Sequence, residues 1–162
     1  MARALIVGCG CRGRELGRVL SEGGWRIRGT SRDPRGLDPI ERAGFEAAEA
    51  DPDQPGTILE LCGDVSVVVW LLGSAVGEQG LIEAIHGPRL ERLLEKLVDS
   101  PVRGFAYEVA GTVAPDLLAG GRVIAERAAG TWRIPVGFID RLHDEPLWAK
   151  RAGEAVRALL AA

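Results

Sequence analysis

Gly8, Gly10 and Gly13 stand at G-x-G-x-x-G spacing directly behind the aliphatic run of residues 4–7, and Gly17 follows one helical turn beyond. None of these residues reacts; what they offer is a seat for phosphate. Gly8 permits a tight turn out of a strand, Gly10 leaves no Cβ between backbone and a diphosphate, and Gly13 lets a helix lie close on the sheet. Together with Cys9, Cys11 and Arg12 between them, they would open a helix whose free N–H groups and positive dipole end face an anion. A strand before, a helix after and a second strand about twenty residues on favour a dinucleotide grip. The alternative is that the glycines serve only a crowded strand-to-helix turn.

The tip of the second strand bears on which dinucleotide. Residues 29–32 read Gly-Thr-Ser-Arg, with no carboxylate to accept hydrogen bonds from ribose hydroxyls. Thr30 and Ser31 with the guanidinium of Arg32 suit a 2′-phosphate, which favours NADP over NAD. Asp33 tempers this, although Asp33-Pro34 also has the form of a helix cap and first residue. An ordinary solvated charge is the other role open to Arg32.

Groups able to move a proton are few. Tyr107 and Glu108 end an expected fifth strand, Thr112 lies in the loop behind it, and Asp140 and His143 follow a sixth. Each could face the same crevice, and each has a structural role as its alternative, since strand ends carry charge for ordinary reasons. His86 and Arg89 flank a break between helices, where a surface histidine is the simpler expectation. Cys9 and Cys11 flank Gly10 and could form a redox pair or half of a soft-metal site, but the only other cysteine is Cys62 and no histidines cluster nearby. Small side chains filling a tight turn, with no metal, is the preferred account.

These residues need a frame that gathers strand ends. Residues 4–7, 25–29, 45–50, 64–73, 102–109 and 134–139 read as strands. The run at 64–73, with four valines, needs cover on both faces. Helices are expected at 34–44, 54–61, 77–100 with a break at His86-Gly87-Pro88, 121–129, and from Asp144-Glu145-Pro146 to the end. Such alternation is that of right-handed crossovers in an α/β, doubly wound parallel sheet, a three-layer αβα sandwich. Trp25, Trp70, Trp132 and Trp148 are scattered among the elements, as packing residues would be.

At 162 residues the chain fits one domain over 1–162. A net charge of −3 without a basic run argues against nucleic acid. No segment is long and apolar enough for a bilayer and no leader pattern opens the chain, so a cytoplasmic protein without a membrane partner is expected. The positive charge is mostly arginine, lysine occurring only at 96 and 150, which hints at a GC-rich bacterial genome. A homodimer is compatible with the end helices.

The glycine motif, the Gly-Thr-Ser-Arg turn and the order of residues 45–69 through Asp51-Pro52-Asp53 resemble the atypical short-chain dehydrogenase/reductase group, in particular small NAD(P)-binding epimerase-like and NmrA-like Rossmann proteins. The resemblance implies six strands in the order 3-2-1-4-5-6. It would set Asp51 beside the adenine and Leu71, Leu72 and Gly73 along the nicotinamide-side ribose. It also brings a departure. Catalytic members use a Tyr-x-x-x-Lys pair, whereas the only tyrosine here is Tyr107 and position 111 is glycine. Two functions stay open: an NADP(H)-dependent reductase without that pair, or a non-catalytic dinucleotide-binding redox sensor or interaction module.

Overall fold

Valine and isoleucine at the centre of the chain's apolar runs build a sheet buried on both sides. In the computed structural model, which describes residues 1–161, the strands are β1 (Arg3–Val7), β2 (Arg26–Ser31), β3 (Glu46–Glu49), β4 (Val67–Trp70), β5 (Gly104–Glu108) and β6 (Val136–Ile139). All pair in parallel, in the order β3-β2-β1-β4-β5-β6. The sheet reverses direction of growth between β1 and β4, the place where a doubly wound fold opens a crevice at its strands' carboxyl ends. This is the expected Rossmann architecture.

Alternation along each strand divides the core in two. Leu5, Val7, Val68, Trp70, Phe105 and Tyr107 face a layer made of α3 (Pro55–Leu59), α4 (Gln79–Ile85), α5 (Pro88–Leu97) and α6 (Pro115–Trp132). Ala4, Ile6, Val67, Val69 and Ala106 face α1 (Cys11–Glu22), α2 (Leu37–Arg42) and α7 (Trp148–Ala161). On α5, Leu90, Leu93, Leu94 and Leu97 all point inward, as their three-four spacing requires.

Several bounds differ from expectation for local reasons. Residues 34–44 divide into a 3₁₀ turn, Pro34–Gly36, and α2, with Asp33 accepting from Arg35 N as the cap. The helix expected over 121–129 starts six residues earlier, at Pro115 in its first turn. Gly120 and Gly121 disguise its continuity, yet Gly121 is the point where the helix closes on the Tyr107 ring and leaves no room for a Cβ. The last helix starts not at Asp144-Glu145-Pro146 but at Trp148, after Leu147 turns with φ +65°. β6, with Pro135 just before it, lies at one edge of the sheet.

At the end of the sheet remote from the crevice, charge ties three strands and the approach to a fourth together. Arg28 donates to both Glu46 (2.8 Å) and Asp64 (2.7 Å), and Arg3 reaches Glu46 at 2.7 Å. Arg28 also donates to the Leu61 carbonyl at 2.8 Å. The belt holds the opening residues of β1, β3 and the approach to β4 against β2.

Candidate nucleotide crevice

The loop from β1 to α1 is shaped as the glycine spacing requires. Gly8 has φ +82°, and a Cβ there would lie 2.7 Å from Leu72 Cδ2 and 2.9 Å from the Leu71 carbonyl oxygen. Gly10 is the opposite case: it is exposed, and a Cβ on it would meet nothing within 4 Å. Its backbone therefore borders open space at the start of α1, where no side chain caps the first-turn amides. Gly13 is buried, and a Cβ there would come within 3.1 Å of Cys9 Sγ.

Cys9 and Cys11 part company. Cys9 is buried between β1, β2 and α1, and burial pushes its thiol up to about 12, whereas Cys11 is exposed. All three cysteines are free thiols. No trio of His, Cys, Asp or Glu that could hold a metal ion occurs among the described residues.

Beside the glycine turn, a hollow of about 170 Å³ is lined by Gly8, Thr30, Arg32, Ala50, Asp51 and Leu72, with Leu81, Ile82 and Ile85 of α4 as its apolar wall. Thr30 is buried at its edge. Ser31 is occupied locally, its hydroxyl donating to the Asp33 carbonyl at 2.7 Å. Asp33, which could have opposed a phosphate, is engaged with Arg35 at 2.6 Å, and that guanidinium holds its carboxyl down at about 2. Arg32 is exposed and makes no ion pair among the described residues. Asp51 uses Oδ1 to accept from Asp53 N at 2.9 Å. Leu71 turns its side chain into the α1 layer and offers only its carbonyl to Gly8, while Leu72 lines the hollow.

The proton candidates separate by strand alternation. Tyr107 points away from α1 into the other layer, fully buried, with its hydroxyl 2.6 Å from His86 Nδ1. His86 Nε2 lies 2.9 Å from the Leu72 carbonyl, so that nitrogen carries the hydrogen and Nδ1 accepts from the phenol. Burial holds the imidazole below its ordinary range and the phenol above its own. His86 is thus not the surface histidine expected at a helix junction; it is 2 % exposed and joins α4, β4 and β5.

Glu108 faces the other way, under the start of α1. Its side chain is 0 % exposed; Oε1 accepts from Gly73 N at 2.7 Å and Oε2 from Arg12 Nη1 at 2.9 Å. Burial raises its carboxyl above the usual range, against the Arg12 guanidinium and the Gly73 amide, which pull it down. Spacing in the chain gave no sign of the Arg12–Glu108 pair, whose members are 96 residues apart. Gly73 is clamped further: its carbonyl accepts from Val113 N at 2.9 Å, and Thr112 N donates to Ser74 Oγ at 3.0 Å. Thr112 itself is exposed. His143 is exposed in the loop after β6 and shares a second hollow, of about 260 Å³, with Gly8, Gly10, Cys11, Arg12 and Glu15. A third, of about 370 Å³, lies against α6 among Val109, Gly111, Leu118, Arg122 and Leu142. Asp140 is exposed past the end of β6 and belongs to another depression, beside Trp148.

No helix among the described residues is long and apolar enough to cross a membrane. No family model matches the chain, and no curated protein sequence matches it. Solved structures are similar in fold. The NAD complex of UDP-glucuronic acid 4-epimerase from Bacillus cereus superposes with a TM-score of 0.60 at 16% identity, over 84% of this chain and 55% of that one. The NADP(H) complex of triphenylmethane reductase from Citrobacter sp. gives 0.65 at 19%, over 87% and 49%. A short-chain dehydrogenase from Streptomyces avermitilis gives 0.64 at 17%, over 99% and 82%. The chain thus spans about half the length of the first two.

Proposed function

We propose that this chain binds a pyridine dinucleotide, NADP(H) in preference to NAD(H), and reduces a small carbonyl or quinone with Glu108 as the proton source. The observation that carries the reading is the uncapped start of α1 at Gly10, whose backbone borders open space beside a ready hollow. The donor set fits such a cofactor. Amides at residues 10–12 would take the diphosphate, Thr30 and Asp51 the adenosine end, and Arg32 a 2′-phosphate, with Asp33 already neutralised by Arg35. Leu72 and Gly73 would border the nicotinamide-side ribose, and the Leu71 carbonyl would brace Gly8 behind it. Similar folds carry NAD and NADP(H), which supports the class of ligand.

When bound, the nicotinamide supplies hydride; the protein's part is position and one proton. Without a Tyr-x-x-x-Lys pair, the phenol of Tyr107 is spent on His86 in the opposite layer. Glu108 is the carboxyl that faces α1, and it meets, through Arg12, the hollow that opens at Gly10. His143 lines that hollow and would act as an orienting group.

A binding-only redox reader is favoured by one feature, the stitching of Gly73 and Ser74 to residues 112–113, which would narrow the nicotinamide side. Calorimetry with NADP(H) and NAD(H), followed by NADPH oxidation against a quinone and carbonyl panel, tests both. Tight NADPH binding with turnover supports the reductase, binding without turnover supports the reader, and no binding by either nucleotide rejects the crevice.

A further inference from the structure

Among the described residues, Arg12 and Glu108 form the one buried ion pair beside the glycine turn, and its two members differ in freedom. Glu108 is sealed from solvent, while the Arg12 side chain is 19% exposed and lines the hollow that opens at Gly10. Their contact runs through a single nitrogen, Nη1, and leaves the rest of the guanidinium fork unused toward Glu108. Arg12 is also the second residue of α1, next to the amides assigned to the diphosphate. A diphosphate set there offers the guanidinium two anionic groups and bidentate geometry, a better partner than one oxygen of a carboxylate.

We propose that Arg12 is a transferable counter-ion: seating the dinucleotide draws its guanidinium from Glu108 to the diphosphate, and Glu108 takes up the proton that reduction then consumes. This rests on the nucleotide reading above. Once Arg12 leaves, Glu108 keeps only the Gly73 amide, and a carboxylate so buried neutralises rather than remain charged. The balance of forces already present agrees, because burial lifts this carboxyl and Arg12 is the leading influence holding it down. Among the described residues no other element supplies a substitute cation. Tyr107, beside it on β5, is neutral and turned to the opposite layer; β4 gives only the Gly73 amide; across the Arg12 hollow stand Glu15 of α1 and His143 of the loop after β6. In the reduction, the carbonyl carbon receives hydride from NADPH while the carbonyl oxygen takes the proton from the Glu108 O–H. The alcohol and NADP⁺ leave, and Arg12 returns to the carboxylate.

Proton uptake is read directly by titrating NADPH into the full chain in two buffers of different ionisation enthalpy. We expect uptake approaching one proton per nucleotide near neutral pH, and affinity that rises about tenfold for each unit of falling pH across the window where uptake occurs. NADH, which lacks the 2′-phosphate, gives the same uptake, and so does His143→Gln. Glu108→Gln binds with no uptake. Arg12→Met does likewise, because its Glu108 is already protonated before nucleotide arrives, so this second variant decides the matter should Glu108→Gln not fold. Wild-type binding without proton uptake, or uptake that persists in both variants, overturns the proposal and leaves the nucleotide reading standing. Absence of binding by NADPH and NADH overturns both.

Discussion

Gly10→Val isolates the role of the bared backbone, because the protein itself has no need of a glycine there. The residue sits at φ −85° and ψ −153°, an extended conformation open to a β-branched side chain, and a Cβ has no neighbour within 4 Å. The cost to folding is that of a poorer helix N-cap, at most about 1 kcal/mol, or ~2–4 °C in melting temperature for a chain of this size. Binding should suffer far more. A hydrogen bond from an amide to a charged acceptor is worth about 1.5–3 kcal/mol, so one lost diphosphate contact weakens NADPH by roughly 10- to 150-fold. Thermal melting with fluorescence titration of NADPH measures both sides. Gly8→Ala is the contrasting control, since a positive φ and a collision with Leu72 make it a folding lesion of about 2–4 kcal/mol. Wild-type affinity in a well-folded Gly10→Val protein would refute the assignment of this surface to a diphosphate.

Arg32→Ala should weaken NADPH by about tenfold, the value of one solvent-exposed charge-assisted contact, and leave NADH unchanged; equal loss for both rejects the 2′-phosphate role. Tyr107→Phe strips His86 Nδ1 of its donor in a buried site and should lower stability by about 1–3 kcal/mol in denaturant unfolding. His86 also gives the fold an acid sensitivity. Its folded value lies below the ordinary 6.5, so the unfolded chain binds the proton first, and stability present above that pH is lost as pH falls below it. Melting from pH 7.5 to 5.5 checks this in a Glu108→Gln background, which removes the opposing sign of a raised carboxyl; a flat profile counts against a buried neutral imidazole. A thiol reagent should modify Cys11 in the folded protein while sparing Cys9 and Cys62, both buried and raised to about 12 and about 11.

What could be read from the chain was whatever short-range pattern determines. The six strands and the break at His86-Gly87-Pro88 follow from runs and punctuation within a dozen residues, whereas the strand order came from the family resemblance. The start of α6 was hidden because Gly120 and Gly121 look like a terminus, when one of them exists to admit the Tyr107 ring. His86 drew a surface reading from its glycine and proline neighbours, while its burial depends on a tyrosine 21 residues away. The glycine turn was legible because each of its residues answers a local demand. Arg12 and Glu108 were both in view as single residues, but their partnership is a product of topology, which brings the end of β5 beneath the first turn of α1.

The belt of Arg3, Arg28, Glu46 and Asp64 has a consequence at the far side of the molecule. Because strand registration is clamped at the amino rim, the loops around the opposite rim are relieved of that duty. Away from the packed glycines at 8, 73 and 111, their residues can be exchanged without the sheet slipping. A library aimed at new ligands would do best to randomise positions 141–146 while leaving those four charges and Gly111, where a Cβ would strike the Gly73 carbonyl, untouched.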